Sequence, residues 1–316
     1  MWADVDFDAD GYDDLAMFPC EGTYSPYYSS SICVAFGPVA PTDLFYPRFA
    51  SEVYHSMPDA AVGDIDGDGV PEILGNLDTS MIFAYPPADP AFTYSNVWLG
   101  TAGYTATIGG SFGGVASGAD MTGDGVDEVI TQAYSRLWIF DEVTVGTTTA
   151  DAAAEVNTSG GTEASEVLGD VTGDGLDDLA YILPSAGGGR VYVLDGVASG
   201  DVTSLAVASF ESSSSSSLPM SIASADLDGD GAEEIFLGTY DDAAGAAYIL
   251  YGPVAGTYTI ETDAEVILQN PTASPPSYEA TLAYPVGDVL GFGTETVLLS
   301  APSYSSSAGA AWLYGM

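Results

Sequence analysis

Asp226-Leu227-Asp228-Gly229-Asp230-Gly231-Ala232-Glu233-Glu234 places three aspartates on alternate positions, a glycine at the sixth and an acid at the ninth. Four more copies follow the same pattern. They run through Asp6, Asp8, Asp10, Gly11, Tyr12 and Asp14; through Asp64, Asp66, Asp68, Gly69, Val70 and Glu72; through Asp120, Thr122, Asp124, Gly125, Val126 and Glu128; and through Asp170, Thr172, Asp174, Gly175, Leu176 and Asp178. Side chains at positions one, three and five converge on one point when the backbone coils tightly, and glycine at position six permits the turn. Position seven offers its backbone carbonyl. Tyr12, Val70, Val126, Leu176 and Ala232 share no side-chain chemistry, which suits a main-chain role. The acid at position nine closes the cage. A flexible all-oxygen set favours calcium over magnesium, which demands stricter octahedral geometry. The chain is therefore expected to hold about five calcium ions.

Other readings of the loop fit less well. An EF-hand needs a glutamate at position twelve and flanking helices. Here each loop leads into a short apolar run, such as Ile73-Leu74, Val129-Ile130, Leu179-Ala180 or Ile235-Phe236-Leu237. Asp-Gly hairpin turns without metal need no acid at positions one, three, five and nine together.

The loops recur with a period. Their first aspartates lie 58, 56, 50 and 56 residues apart, and a degenerate sixth copy starts 62 residues later at Asp288. In that copy Leu290, Phe292 and Thr296 supply no calcium-binding side chain. One apolar stretch precedes each loop, a second follows, a third is aromatic-rich (Met81–Tyr85, Leu137–Phe140, Val191–Leu194), and a weaker fourth ends the unit, as at Tyr258–Glu261 and Val266–Leu268. Small residues inside and a ragged, solvent-facing outer strand are what radial packing requires. The fold expected is all-β: a β-propeller of four-stranded antiparallel blades in a single domain over 1–316. Six blades are expected, at about 1–56, 57–112, 113–162, 163–219, 220–280 and 281–316. They would form either a tight six-bladed ring or six blades of a seven-bladed wheel, the last blade incomplete.

At these residues the chain resembles the FG-GAP repeat, the blade of the integrin α-subunit propeller and of many bacterial surface proteins. Phe36-Gly37-Pro38 and Tyr251-Gly252-Pro253 match the Phe-Gly end of its third strand, and Phe112-Gly113 with Val115-Ala116 matches the approach to its first. The chain departs from the pattern at the sixth loop, at Thr122 and Thr172, and at Phe140-Asp141 and Leu194-Asp195. The resemblance implies calcium on one face of the wheel and ligand on the opposite face. That face would carry Tyr134, Arg136, Arg190 and Tyr240 among serine and glycine, the composition of an adaptable paratope.

Charge narrows the partners. The chain has three arginines, no lysine and 46 acids, for a formal net charge of −43, yet 47% of its residues are apolar. It can bury a core and is not an acidic disordered tail. The negative field disfavours nucleic acid and anionic membrane surfaces. No apolar run approaches the ~18 residues of a membrane span. Extracellular calcium modules bind at about 0.1–1 mM, so a secreted or cell-surface setting is expected. Cys20 and Cys33 flank a Tyr/Ser-rich loop and could meet as a disulfide or remain two thiols. Met1 leads directly into the first loop, as in a fragment or mature module of a longer exported protein.

Catalytic signals are weak. His55 is the sole histidine, and Gly109-x-Ser111-x-Gly113 lies in a glycine-rich approach to a strand rather than at a strand-to-helix turn. No carboxylate pair separates from the calcium loops as an acid/base couple. The expected function is a calcium-stabilised binding or adhesion module for a protein or glycan. The alternatives are a propeller of a polysaccharide-degrading enzyme and a structural spacer.

Overall fold

The apolar runs on either side of each acidic nonapeptide become the first two strands of an antiparallel sheet. A computed structural model describes residues 2–5, 14–20, 31–35, 46–50, 60–77, 81–85, 97–98, 106–109, 114–116, 118–133, 135–158, 165–183, 189–213, 218–240, 246–269, 282–285, 296–301 and 310–316. The chain divides into two compact units, Met1–Thr162 with Val197–Ser199, and Glu163–Gly196 with Gly200–Met316.

Among the described residues, three sheets lie in the first unit. Trp2–Val5, Asp14–Cys20, Ser31–Ala35 and Tyr46–Ala50 form the first; Ala60–Gly63, Glu72–Leu77, Met81–Tyr85 and Ala106–Gly109 the second; Gly114–Ala116, Val129–Ala133, Arg136–Phe140 and Ala154–Asn157 the third. The second unit holds three more. Ser165–Leu168, Asp178–Leu183, Arg190–Asp195 and Ala208–Glu211 make the fourth; Leu218–Ala225, Glu234–Tyr240, Ala246–Leu250 and Val266–Gln269 the fifth. Leu282–Pro285, Thr296–Ala301 and Ala310–Gly315 make the sixth.

Burial follows position in the sheet. Asp178–Leu183 and Ala246–Leu250 are buried along their whole length, whereas Ala208–Glu211 alternates buried and half-buried residues. A central strand covered on both faces reads as a continuous apolar run, and an outer strand reads as alternation. In the first unit Ala61, Leu74, Ile108, Val129 and Phe140 pack together. In the second, Val193, Phe210, Ile235, Leu237 and Tyr248 share one cluster, and Phe236, Ile249, Val297 and Leu299 another. Each fully buried Phe, Leu or Ile contributes about 1.5–3 kcal/mol relative to exposure.

On the first, second and fourth sheets the outer strand is not left to solvent as the sequence reading expected. Val145–Thr148, from the third repeat, runs parallel to Ala106–Gly109 on the edge of the second sheet. Gly256–Thr259, from the fifth repeat, runs parallel to Ala208–Glu211 on the fourth, and Val97–Trp98 parallel to Tyr46–Ala50 on the first. The expected fourth strand Tyr258–Glu261 is thus two other things: the end of that edge strand, then a one-turn helix at Ile260–Asp263. The cause is pairing energy. An open edge of unpaired amides is a liability, and a short parallel segment covers it. Phe210 and Tyr258 stack across this pairing, with ring centroids 5.1 Å apart. The helical turn follows at once because an acid ties it down. Asp151 accepts from the Thr148 N–H and hydroxyl at 2.9 Å each, and Asp263 from the Thr259 N–H at 2.6 Å.

Candidate metal centres

The first aspartate holds each described loop in shape. Asp64 accepts N–H bonds from Gly67 (2.8 Å), Asp68 (3.1 Å) and Gly69 (2.8 Å). Asp120 takes the N–H groups of Gly123, Asp124 and Gly125, and Asp170 those of Gly173, Asp174 and Gly175. Asp226 takes those of Gly229 and Gly231. The fifth-position acid accepts from the N–H of position seven, as Asp68 does from Val70 at 2.9 Å and Asp230 from Ala232 at 2.9 Å. The backbone coils tightly enough that positions four and six both enter the left-handed region, with φ of 77° at Gly229 and 96° at Gly231. In loops two to five the glycine at position four therefore eases the turn as the one at position six does, whereas loop one has Ala9 at position four.

The ninth-position acid heads the second strand, or in loop three directly precedes it, and is buried. Glu72, Glu128, Asp178 and Glu234 are each at most 1% exposed. Each accepts the N–H of position two: Ile65 at 3.2 Å, Met121 at 2.7 Å, Val171 at 2.9 Å and Leu227 at 2.5 Å. Burial pushes the Glu72 carboxyl up to about 8, with the Asp66 charge adding to it. Burial likewise lifts Glu128 and Asp178 to about 7, and raises Glu234. A carboxylate with this burden is one that a bound cation would relieve. Among the described residues, Glu234 Oε1 is buried with no hydrogen-bond partner.

The donor sets fit a hard cation. Carboxylate oxygens of Asp64, Asp66 and Glu72 lie within 4.8 Å of one another, and so do those of Asp226, Asp228 and Asp230. In loop four the Thr172 hydroxyl stands where the third-position carboxylate would be, and donates to Asp178 Oδ1 at 3.5 Å. Thr122 likewise bonds Glu128 in loop three. These two loops have an acid elsewhere. Asp195, at the end of the third strand, faces Asp178 across the sheet, and the charges of Asp174 and Asp170 act on it. Phe140 pairs with Val129, so Asp141 follows at the corresponding place in loop three. Loop five, with aspartate at position three, has Tyr251 there instead.

The remaining expected residues fall as follows. Asp6, Asp8, Asp10, Tyr12, Tyr134, His55 and Ser111 lie outside the described residues, as does the Asp288 loop. Asp14 begins the strand Asp14–Cys20. Cys20 and Cys33 sit on paired strands, opposite Ser31 and Met17 respectively. Arg136 pairs with Ala133 and Arg190 with Leu183, the ends of the second strands remote from the acidic loops. Tyr240 ends the second strand of the fifth sheet, the same end. Both arginines are ion-paired to the fourth strand, Arg136 with Glu155 at 2.6 Å and Arg190 with Glu211 at 2.5 Å. Half-exposed pairs of this kind are worth about 0–1 kcal/mol.

Sequence reasoning missed position eight. Asp127 and Glu233 each bond the preceding repeat, at Asp64 and at Gly169 and Asp170. Their signal was an acid recurring there: Asp13, Asp127, Asp177 and Glu233.

Residues 170–237 match the FG-GAP-like repeat family, from the first aspartate of loop four into the second strand of the fifth sheet. No curated protein matches the chain. Among solved structures it is similar to BBS1N in complex with ARL6DN, with a TM-score of 0.51 and 11% identity over 95% of this chain and 78% of that one. It is also similar to the WD40 domain of Toxoplasma gondii coronin, with a TM-score of 0.49 and 12% identity over 92% of this chain and 66% of that one. The fold is a β-propeller. Within it, residues 170–237, which hold loops four and five, match the FG-GAP-like repeat.

Proposed function

We propose that this chain is a calcium-stabilised, extracellular propeller module that presents a binding face to a protein or glycan. The observation that carries the calcium reading is loop five. Three carboxylates converge within 4.8 Å, and beside them Glu234 Oε1 is buried without a hydrogen bond. Burying such an oxygen unsatisfied is costly, and a hard cation bound by Asp226, Asp228, Asp230, the Ala232 carbonyl and Glu234 would satisfy it. Calcium would supply charge neutralisation and a bridge between the first and second strands. The protein's own residues supply the preformed loop: the first aspartate folds it, two glycines turn it, and the ninth acid anchors it to the core.

Support for a ligand at the other end of the sheets comes from Arg136, Arg190 and Tyr240 lying at that end, each guanidinium held by a weak and exchangeable ion pair. A ligand carboxylate or sulfate could replace Glu155 or Glu211. The decisive experiment is calorimetric titration of metal-stripped protein with calcium, followed by glycan and protein arrays probed in calcium. Calcium uptake at several sites with a higher melting temperature is expected. Absence of uptake would remove the metal reading, and Arg136→Ala or Arg190→Ala without effect on array binding would remove the ligand face.

A further inference from the structure

Asp127 and Glu233 occupy position eight, between the carbonyl donor at seven and the buried acid at nine. In both cases the backbone N–H donates to the carbonyl of the first aspartate of the preceding loop: Asp127 to Asp64 at 2.9 Å and Glu233 to Asp170 at 2.8 Å. The carboxylate then accepts an N–H from the same place. The Asp64 N–H donates to Asp127 Oδ2 at 2.8 Å, and the Gly169 N–H to Glu233 Oε2 at 3.1 Å. Glutamate is one methylene longer than aspartate and reaches one residue further back. That reach needs Gly169, because a Cβ there would lie 2.3–2.4 Å from the Glu233 carboxylate. Beside the latch, loop two comes close to loop three, and loop four to the segment after the third strand of the fifth sheet. A Cβ on Gly67 would meet Val126 Cγ2 at 3.0 Å, and one on Gly173 would meet Pro253 at 3.0 Å.

The latched residue is the hub of its loop. Asp64 and Asp170 each fold three backbone N–H groups around themselves and stand first in the donor set. Any shift of positions seven and nine on a cation in loop five must move Glu233, and through it the main chain of Asp170. We propose that Asp127 and Glu233 are positioning residues that couple the metal loops in pairs, two with three and four with five. This rests on the calcium reading above. Filling loop five then raises the affinity of loop four, and by reciprocity filling loop four raises that of loop five.

The test is a cycle on the full chain with calcium as the only added ligand. Loop occupancy is read separately from the Gly175 and Gly231 amide resonances, both of which are bonded to a first aspartate. Asp228→Ala with Asp230→Ala takes two of the three converging carboxylates from loop five and disables it. In the parent protein this pair is expected to weaken calcium binding at loop four by about fivefold or more. Glu233→Ala keeps the main-chain bond to Asp170 and removes the carboxylate bond to Gly169, so in that background the effect is expected to shrink, while Glu233→Gln, which keeps an acceptor oxygen, retains it in full. Thr122→Ala with Asp124→Ala, made alone and with Asp127→Ala and read at Gly69, repeats the cycle at loops two and three should Glu233→Ala not fold. Loop-four affinity unchanged by the loop-five pair, or an effect undiminished in Glu233→Ala, overturns the coupling while leaving calcium binding intact. No calcium-dependent shift in any loop overturns both.

Discussion

Asp178 and Asp195 stand directly opposite each other on the second and third strands of the fourth sheet. Like charges placed so destabilise a strand pair unless something between them is positive. Burial is the main cause of the raised Asp178 carboxyl, and the Asp195 charge adds to it. Asp195→Asn is therefore expected to act with opposite sign in two conditions. It raises the melting temperature of metal-stripped protein at neutral pH, and lowers calcium affinity at loop four. Calorimetry with and without calcium reads both, and equal shifts in the two conditions would refute the account.

Glu72 sets a pH dependence. Its carboxyl is raised from 4.5 to about 8 in the folded, metal-stripped protein. A group raised on folding favours the folded state while protonated. The contribution is fully present below about 4.5 and is lost as pH climbs through about 8. Metal-stripped protein is expected to melt at lower temperature at pH 8.5 than at pH 5.5, with Glu72→Gln flattening the slope. Calcium-loaded protein should not show this fall, and calcium affinity should rise across the same window as protons are displaced.

Thr172→Asp gives loop four a carboxylate at position three. Affinity in loops of this chemistry follows ligand charge, so about a three- to tenfold gain in calcium binding at loop four is expected. Without metal the same change removes a hydroxyl donor to Asp178 and adds a charge beside it, so chelated protein should be less stable than the parent. A titration following the Gly175 amide decides the first effect and a chelated melt the second.

Phe210→Ala is expected to cost about 3–5 kcal/mol, because the ring is wholly buried. Tyr258→Ala should cost less, since its ring is only partly buried against the core. The two are expected to be non-additive by about 0.5–1.5 kcal/mol, the worth of the stack between them. Additive denaturation midpoints would show that Gly256–Thr259 does not lean on the fourth sheet through these rings.

Much of this architecture was legible because the chain repeats it. Asp226, Asp228, Asp230 and Glu234 announce a cage, and the apolar runs beside them announce strands. Other features depend on partners far away in sequence. Gly256-Thr257-Tyr258-Thr259 is short and polar, and becomes a strand only because Ala208–Glu211 offers an edge. Asp127 reads as one more acid until the preceding loop lies next to it. Arg136 and Arg190 read as free cations until Glu155 and Glu211 arrive from the fourth strand. Local pattern carries local structure, while non-local pairing is visible only in the folded chain.

The borrowed edge strands also impose an order on synthesis. The second sheet has its four antiparallel strands once Gly109 has emerged from the ribosome, yet the strand that closes its edge begins at Val145. The fourth sheet waits from Glu211 to Gly256. Each nascent sheet therefore passes through an interval with a bare edge while most of the next repeat is translated. Translation speed over these stretches, and whatever shields the edge meanwhile, bear on how much of the chain reaches its native form.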